Sequence, residues 1–326
     1  MKYRQLGRSG LTVSVVGLGC NNFGGSSTAI AGANAAYGLM DLEQTRAVVD
    51  AAFDEGINFF DTADLYGNGG SETFLGQILK DRRHDVVLAT KWGAGMDARH
   101  DIAWGSRRYI RQACEASLRR LDTDYIDLYQ MHWPDGRTPI EETIAALDEL
   151  VQEGKVRYLG HSHFAPWLMA DAQWIAKTEG HERFISAQDH YSLLARGAEA
   201  ELIPACDRFG VGLLPYFPLA NGLLTGKYRR GRPMPENTRM AGKPIDDRLY
   251  DLIEALIGYA EERGRTLVDI AVGALLTKDA VSSVITGATK AAQIRSNAAA
   301  ASWLPDAKDI NVLNELLKAH ESAVSH

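Results

Sequence analysis

The sequence has little cysteine and no long apolar run, and each absence excludes a class of protein. Its 326 residues include three scattered cysteines, Cys20, Cys114 and Cys206, with no CxxC pair. This pattern gives no disulfide framework and is typical of a reducing compartment. No stretch of about 18 apolar residues is present, and the start, MKYRQLGRSG, lacks the apolar core of a signal peptide. We therefore expect a cytoplasmic protein with no membrane partner.

An excess of basic charge is also missing. The formal net charge is −7, which disfavours non-specific binding to nucleic acid or to an anionic membrane. The basic run KYRRGR (Lys227–Arg232) is open to three interpretations: a nucleic-acid patch, a solvated face or a phosphate clamp. No aromatic platform accompanies the run, so we favour the phosphate clamp, at least for Lys227.

Eight short apolar runs alternate with longer amphipathic segments. The runs are Val13–Gly19, Ile57–Asp61, Val86–Lys91, Ile126–His132, Val156–Ser162, Ile185–Gln188, Val211–Tyr216 and Ser282–Gly287. The helical patterns are Leu42–Glu55, Ser71–Lys80, Ser106–Leu121, Ile140–Glu153, Pro166–Thr178, Ala198–Phe209, Asp247–Arg263, Ala291–Ala300 and Asp309–His320. Nearly continuous apolar strands between helices predict a parallel sheet covered on both faces.

Eight such repeats fit a (β/α)₈ TIM barrel better than an open sheet. Barrels of this length are routinely a single domain, so we expect an α/β protein with one domain over residues 1–326. The opening KYRQLGRSGLTV predicts an N-terminal β-hairpin that turns at Arg8-Ser9-Gly10 and closes the bottom of the barrel.

Polar side chains stand at the ends of six predicted strands: Asp61, Lys91, His132, Ser162, Gln188 and Tyr216. Any one of them alone is most simply a strand end that meets solvent. Together they would converge on the mouth of a barrel, where active sites of this fold lie. Tyr66 follows Asp61 in a glycine-rich loop and would overhang the same mouth.

This set of residue types indicates an acid–base cluster. A tyrosine pKa near 10 is too high for efficient proton transfer at neutral pH, and a nearby ammonium group lowers it. Lys91 would tune Tyr66 in this way, and Asp61 would neutralise Lys91 at depth. His132 would orient a carbonyl oxygen.

Other chemistries have weaker support in the sequence. No GxSxG motif supplies an acyl nucleophile. The pair His161 and His163 has metal-ligand spacing but no third ligand motif, so no metal site is predicted. The run GLGCNN (Gly17–Asn22) begins like a dinucleotide fingerprint, but Asn22 replaces its third glycine and no helix follows.

Several longer stretches resemble the aldo-keto reductase family, and in particular its bacterial branch similar to potassium-channel β-subunits. They include GINFFDTADLYGNGGSETFLG, SLRRLDTDYIDLYQMHWPD and TGATKAAQIRSN. The catalytic Asp, Tyr, Lys and His of that family match, in order and context, Asp61, Tyr66, Lys91 and His132. The resemblance implies an NADPH-dependent reductase that converts aldehydes or ketones to alcohols reversibly, with NADH as a weaker cofactor.

The same resemblance leaves a second function open. A protein of this fold can bind NADPH as a regulatory or redox-sensing subunit with little turnover. Some β-subunit-like members lack the histidine, so the presence of His132 favours a working reductase. The sequence does not indicate the carbonyl substrate or the oligomeric state.

The resemblance also implies where cofactor and substrate bind. Ser162 and Gln188 would hold the nicotinamide carboxamide, and Tyr216 would stack on its ring. The implied cofactor-binding set is Ser162, His163, Gln188, Tyr216, Pro218, Leu219, Gly222, Lys227, Arg239, Gly287, Thr289, Lys290, Gln293 and Asn297. Thr289 and Lys290 indicate the 2′-phosphate of NADPH. The expected walls of the substrate pocket are Phe23, Trp92 and Trp133, with Trp104 as a further member.

Three positions depart from the family pattern and weaken individual cofactor contacts. His163 stands where Asn or Arg is common. Phe217 stands where Ser is usual, and Thr286 stands where Pro is usual. The four catalytic positions are unaffected by these departures.

Overall fold

Ten β-strands form a small hairpin and a larger parallel sheet in the computed structural model, which describes residues 1–24, 39–93, 103–236 and 238–320. The hairpin strands are β1 (Tyr3–Gln5) and β2 (Thr12–Ser14). The parallel strands are β3 (Val16–Gly19), β4 (Phe59–Asp61), β5 (Val87–Trp92), β6 (Ile126–Met131), β7 (Val156–Ser162), β8 (Phe184–His190), β9 (Gly212–Tyr216) and β10 (Val284–Gly287).

Helices follow the parallel strands along the chain. They are α1 (Leu42–Asp54), α2 (Gly70–Leu79), α3 (Arg107–Leu121), α4 (Ile140–Gln152), α5 (Pro166–Glu179), α6 (Leu202–Phe209), α7 (Asp247–Glu261), α8 (Leu267–Leu275), α9 (Ala291–Ala300) and α10 (Ala307–Ala319). No helix in the described ranges is long and apolar enough to cross a membrane.

The parallel sheet curls into a nearly closed barrel. The strands lie in the order β10-β3-β4-β5-β6-β7-β8-β9. Between β9 and the residues before β10, the Leu213 N–H donates to the Ala280 carbonyl at 2.7 Å, and the Ser282 N–H donates to the Leu213 carbonyl at 3.0 Å. The predicted (β/α)₈ barrel is thereby confirmed.

The N-terminal hairpin closes one end of this barrel. Leu6 and Val13 are fully buried and pack against inward-facing strand residues that include Phe59, Leu128 and Leu214. The Leu6 N–H donates to the Leu11 carbonyl at 2.8 Å across the predicted turn. Because this end is filled by apolar side chains, the opposite end, where the strands finish, is the one that can hold polar chemistry.

Helix α8 was not among the predicted segments. All of its residues except Asp269 are buried, so it shows no alternation of apolar and polar residues from which to recognise a helix. A signal was nevertheless present at its start, where the Thr266 hydroxyl and the Asp269 carboxylate form a capping box. Helices α7 and α10 pack with α8 in a separate apolar cluster outside the barrel.

Candidate active site

The polar ends of the barrel strands meet at one mouth, as the sequence predicted. They border a cleft of about 490 Å³ whose walls include Asp61, His132, Gln188 and Tyr216 from four strand ends, with Tyr66 from a loop. This volume lies within the range of small-molecule sites. The acid–base residues therefore border a cleft that is large enough to bind a small molecule.

Lys91 and Asp61 form a buried ion pair at the base of the mouth. The Lys91 Nζ atom lies 2.7 Å from Asp61 Oδ2 and also donates to the Thr62 carbonyl at 2.8 Å. The other oxygen of Asp61 accepts from the side-chain amides of Gln188 at 2.8 Å and Gln130 at 3.2 Å. Burial alone would lower the pKa of Lys91, but attraction to Asp61 and Tyr66 raises it. Lys91 is therefore charged at neutral pH.

Tyr66 lies directly over this pair. The Lys91 Nζ atom is 5.1 Å from the centre of the Tyr66 ring. Burial raises the pKa of Tyr66, and the opposing effect of Lys91 is smaller. Lys91 lowers this pKa, as expected, but desolvation outweighs the ammonium charge, so the net shift of the Tyr66 pKa is upward. Tyr66 is protonated at neutral pH, the state that a proton donor requires.

A glycine turn fixes the position of Tyr66. The short 3₁₀ turn Tyr66–Gly69 contains Gly67 at φ 58°. A Cβ atom on Gly67 would stand 2.8 Å from both the Gly24 Cα and the Phe23 carbonyl oxygen. The chain after β3 therefore packs against this turn with no room for a side chain. The glycines of YGNGG therefore hold Tyr66 in position, and they are more than a flexible connection.

His132 faces Tyr66 across the mouth. Their rings meet edge to face with centroids 6.0 Å apart, and His132 stacks on Trp133 at 4.1 Å. Burial, followed by repulsion from Lys91, holds the pKa of His132 well below its ordinary value. His132 is therefore neutral at physiological pH and suited to hydrogen bonding with a carbonyl oxygen rather than to carrying charge.

Two cations line the part of the cleft formed by the connection between β9 and α7, which we call its cationic end. Lys227 and Arg239 both line it, and repulsion from Arg239 adds to burial in lowering the pKa of Lys227. Arg239 donates to the side-chain oxygen of Asn22 at 3.2 Å and lies 5.3 Å from the centre of the Phe217 ring. Two cations held together in a cleft favour an anionic ligand.

The start of α9 completes this cationic end. Thr289, Gln293 and Asn297 line the cleft. The Asn297 Nδ2 atom is buried and has no hydrogen-bond partner in the described parts of the chain. A buried donor that faces a cleft without a partner is costly unless a ligand accepts from it. Pro218, Leu219, Gly222 and Gly287 also line the cleft, as expected for cofactor-binding positions.

Some predicted site residues lie elsewhere. Phe23 and Trp92 are fully buried, so neither forms a wall of the cleft. Successive strand residues face opposite sides; Lys91 points into the barrel, so its neighbour Trp92 points out, where it stacks on Tyr129 at 4.4 Å. Trp104 does not line the cleft but donates its indole N–H to the Trp133 carbonyl at 2.8 Å. Trp133 does line it.

Two predicted cofactor contacts also differ from expectation. The Ser162 hydroxyl is buried and donates to the Gln188 carbonyl at 2.6 Å, so Ser162 does not reach the cleft surface. Lys290 is exposed at the N-terminal cap of α9 and lies outside the residues that line the cleft.

The basic run after β9 divides into two parts. Arg229 forms an ion pair with Glu254 at 3.0 Å, and Arg230 forms one with Asp251 at 2.6 Å, both on α7. These arginines hold the loop against the protein, which argues against a nucleic-acid patch. Only Lys227, of these three cations, lines the cleft.

The HxH pair likewise separates. His161 is buried between Phe164 and Phe184, with ring centroids at 4.4 and 5.4 Å, whereas His163 lines the cleft. Sequence reasoning missed several lining residues, and among them Asn21 and Asn22 line the cleft just after β3. The available signal was the strand-to-loop exit GLGCNN, which ends at the mouth.

A barrel of this kind, with an Asp–Lys–Tyr–His cluster at its mouth, defines a class of oxidoreductase. Residues 15–318 match the aldo/keto reductase family, and the chain belongs to that family. The protein is therefore an oxidoreductase that acts on carbonyl compounds, and members of the family typically bind a nicotinamide cofactor.

Relatives similar over most of the chain carry different names. A probable voltage-gated potassium channel subunit beta from Arabidopsis thaliana is 34% identical over 318 residues, covering 94% of this chain and 92% of that protein. The uncharacterized oxidoreductase YrpG of Bacillus subtilis is 35% identical over 329 residues, covering 97% and 96%. Versiconal hemiacetal acetate reductase of Aspergillus parasiticus is 34% identical over 300 residues, covering 83% and 84%.

Proposed function

We propose that the protein is an NADPH-dependent carbonyl reductase that converts aldehydes or ketones to alcohols and catalyses the reverse reaction. One observation carries the proposal: the Tyr66–Lys91–Asp61 cluster and His132 stand at a cleft that is also lined by two cations, Lys227 and Arg239. A reduced dinucleotide needs both features, because its dihydronicotinamide ring reacts with the carbonyl while its pyrophosphate, and the 2′-phosphate of NADPH, carry negative charge.

The cofactor-binding residues of this proposal line the same cleft. Tyr216 and Gln188 would contact the nicotinamide end, and Lys227 and Arg239 would contact the phosphates. The unpartnered Asn297 amide would donate to the far end of the cofactor. When bound, the cofactor supplies the hydride that the carbonyl carbon accepts.

The protein supplies the proton and the residues that stabilise the phenolate left after proton transfer. His132 donates a hydrogen bond that orients the carbonyl oxygen, and Tyr66 donates its phenolic proton to that oxygen as the C–H bond forms. Lys91 stabilises the resulting phenolate, and Asp61 keeps Lys91 charged and aimed at Tyr66. In the reverse direction the phenolate takes the alcohol proton, so the same residues serve both directions.

The substrate side of the cleft favours apolar or ring-shaped carbonyl compounds. Trp133 and Phe217 line it, and the Phe217 side chain is 38% exposed. Aromatic walls bind such bodies without fixing which one. We propose this class of substrate, and a screen of carbonyl compounds would identify its members.

A second function has one observation in its favour. The relative from Arabidopsis thaliana is named a probable potassium channel subunit beta, so a cofactor-binding regulatory or redox-sensing role with little turnover is the alternative. The two functions share the cofactor and differ only in whether a carbonyl is reduced.

The experiment that separates them is a carbonyl panel. Purified protein is mixed with NADPH or NADH and a set of aldehydes and ketones, and the loss of reduced-nicotinamide absorbance is followed beside calorimetric binding of each nucleotide. We expect turnover with at least one carbonyl, faster with NADPH. Tight NADPH binding with no turnover would favour the regulatory subunit, and no binding of either nucleotide would reject both.

A further inference from the structure

His163 has an unusual backbone conformation and lines the cleft. Its φ of 58° is in the left-handed region, which residues other than glycine seldom adopt. Its ring lies between Trp133, at a centroid distance of 5.0 Å, and Tyr216, at 5.4 Å. A strained residue held in place at a site is a candidate for a functional role.

The hydrogen bonds of the ring define its tautomer. The Nδ1 atom is 2.9 Å from the His132 carbonyl oxygen, which can only accept, so Nδ1 carries the hydrogen. The Ser162 hydroxyl, 2.9 Å from the same Nδ1, gives its own hydrogen to the Gln188 carbonyl and therefore accepts here as well. In the neutral ring Nε2 is then an acceptor, and the Tyr216 hydroxyl, 3.0 Å away, donates to it.

Both ring nitrogens are thus committed to protein groups. His163 has no nitrogen left with which to bind the carboxamide of a nicotinamide, although its position matches a cofactor contact of the family. What it does contact is the hydroxyl of Tyr216, the ring that the proposed function places against the nicotinamide. It also contacts the main chain of His132, which orients the substrate.

We propose that His163, in its Nδ1–H form, is a positioning residue that fixes the Tyr216 ring for the nicotinamide and links that ring to the backbone of His132. This inference rests on the proposed function. It assigns His163 an indirect role in cofactor affinity, carried entirely by the Tyr216 hydroxyl. His190 stacks on Tyr216 at 5.5 Å, so the hydrogen bond sets the tilt of a ring that an aromatic neighbour already contacts.

A double-mutant cycle on cofactor binding tests this link. NADPH dissociation constants are measured by calorimetry for the wild type, His163→Ala, Tyr216→Phe and the double variant, with no carbonyl present. Each single change removes the same hydrogen bond, so each should weaken NADPH about fivefold. The double variant should be no weaker than His163→Ala. Independent losses that multiply, or no loss in Tyr216→Phe, would overturn the proposal.

A second readout needs neither cofactor nor activity. In protein labelled with ¹⁵N-histidine, His163 should give the nitrogen shifts of the Nδ1–H tautomer in the ligand-free wild type. Its Nε2 signal should move in Tyr216→Phe, while that of His181, which does not line the cleft, should not. An Nε2–H tautomer would contradict the proposal, and this measurement remains decisive even where His163→Ala fails to fold.

The outcomes also distinguish this inference from the function on which it rests. If the wild type binds no nicotinamide nucleotide, the proposed function is wrong and the role of His163 in cofactor binding falls with it. If the wild type binds NADPH and the cycle is additive, the function stands and the positioning role is wrong.

Discussion

The two ends of the cleft are built differently. At the acid–base end, Asp61 and Lys91 belong to strands, and His132 directly follows a strand. Asp61 and Lys91 form a buried ion pair with 2.7 Å between their charged atoms. At the cationic end, Lys227 and Arg239 come from one long connection between β9 and α7. The barrel already organises the acid–base end. The cationic end holds two positive charges that a bound anion would neutralise.

This difference predicts which properties a substitution at each end should change. Breaking the organised end should cost both stability and turnover, because its charges are buried and paired with one another. Breaking the cationic end should cost ligand affinity, because its charges are partly exposed and oriented toward a ligand. The predictions below test this division in order of expected effect.

The largest effect is expected from Lys91→Met. It leaves Asp61 buried without its cation, which should lower the free energy of unfolding by about 3–5 kcal/mol and lower turnover by about 10³-fold. The double variant Asp61→Asn, Lys91→Met removes both charges and should recover most of the stability but none of the turnover. Chemical denaturation and steady-state kinetics report the two quantities. Recovery of turnover in the double variant would show that the pair has only a structural role.

The next largest effect is expected at Asp64, which is an exception to the pairing of buried charges at the acid–base end. Its carboxyl is buried near Glu72, with one oxygen lacking a hydrogen-bond partner in the described ranges, and burial raises its pKa to about 7. A carboxyl whose pKa is raised on folding destabilises the protein as pH rises from its unfolded value toward pH 7.

Asp64→Asn should therefore be more stable than the wild type at pH 8, and the gap should widen by roughly 2 kcal/mol between pH 5 and pH 8. Urea unfolding of both proteins across that pH range measures this gap. A gap that stays constant with pH would show that Asp64 is ionised in the folded protein throughout.

A smaller effect is expected from Lys227→Ala at the cationic end. NADPH should bind about tenfold more weakly, because one charge-assisted contact to a phosphate is lost, while turnover at saturating NADPH stays near the wild-type value. The matched control is Arg230→Ala, a cation of the same basic run that pairs with Asp247 and Asp251 instead of lining the cleft. Equal losses in the two variants would indicate a general charge effect.

The smallest effect is expected from Lys290→Ala. Lys290 is exposed, so its contact with a 2′-phosphate would be worth only a two- to fivefold change in affinity, roughly the size of an exposed ion pair. NADPH should weaken and NADH should not, as measured by calorimetry with both nucleotides. If both weaken equally, the assignment of the 2′-phosphate to Lys290 is wrong.

The same division explains what the sequence could predict. Asp61, Lys91 and His132 were recognisable because each closes an apolar run, and a barrel brings all strand ends to one mouth. The glycines around Tyr66 were visible too. Two predicted pocket walls were wrong: Trp92 faces away from the cleft, because successive strand residues face opposite sides, and Phe23 lies in the apolar core.

The rest depended on contacts distant in sequence. The net pKa shift of Tyr66 depends on how deeply the folded protein buries it. The pairing of Arg229 and Arg230 with α7 cannot be inferred from a basic run alone. Helix α8 is apolar on nearly every side, so its pattern resembles a buried strand as much as a helix. The single-domain organisation and the cytoplasmic location stay predictions.

The most direct test of the acid–base assignment is turnover and NADPH binding in Tyr66→Phe. The change removes one hydroxyl, so turnover should fall by 10²- to 10⁴-fold while NADPH affinity stays within about twofold of wild type, since Tyr66 is assigned to the substrate oxygen. Tyr125→Phe, which removes a hydroxyl outside the cleft, should leave both unchanged. Wild-type turnover in Tyr66→Phe would show that another group delivers the proton.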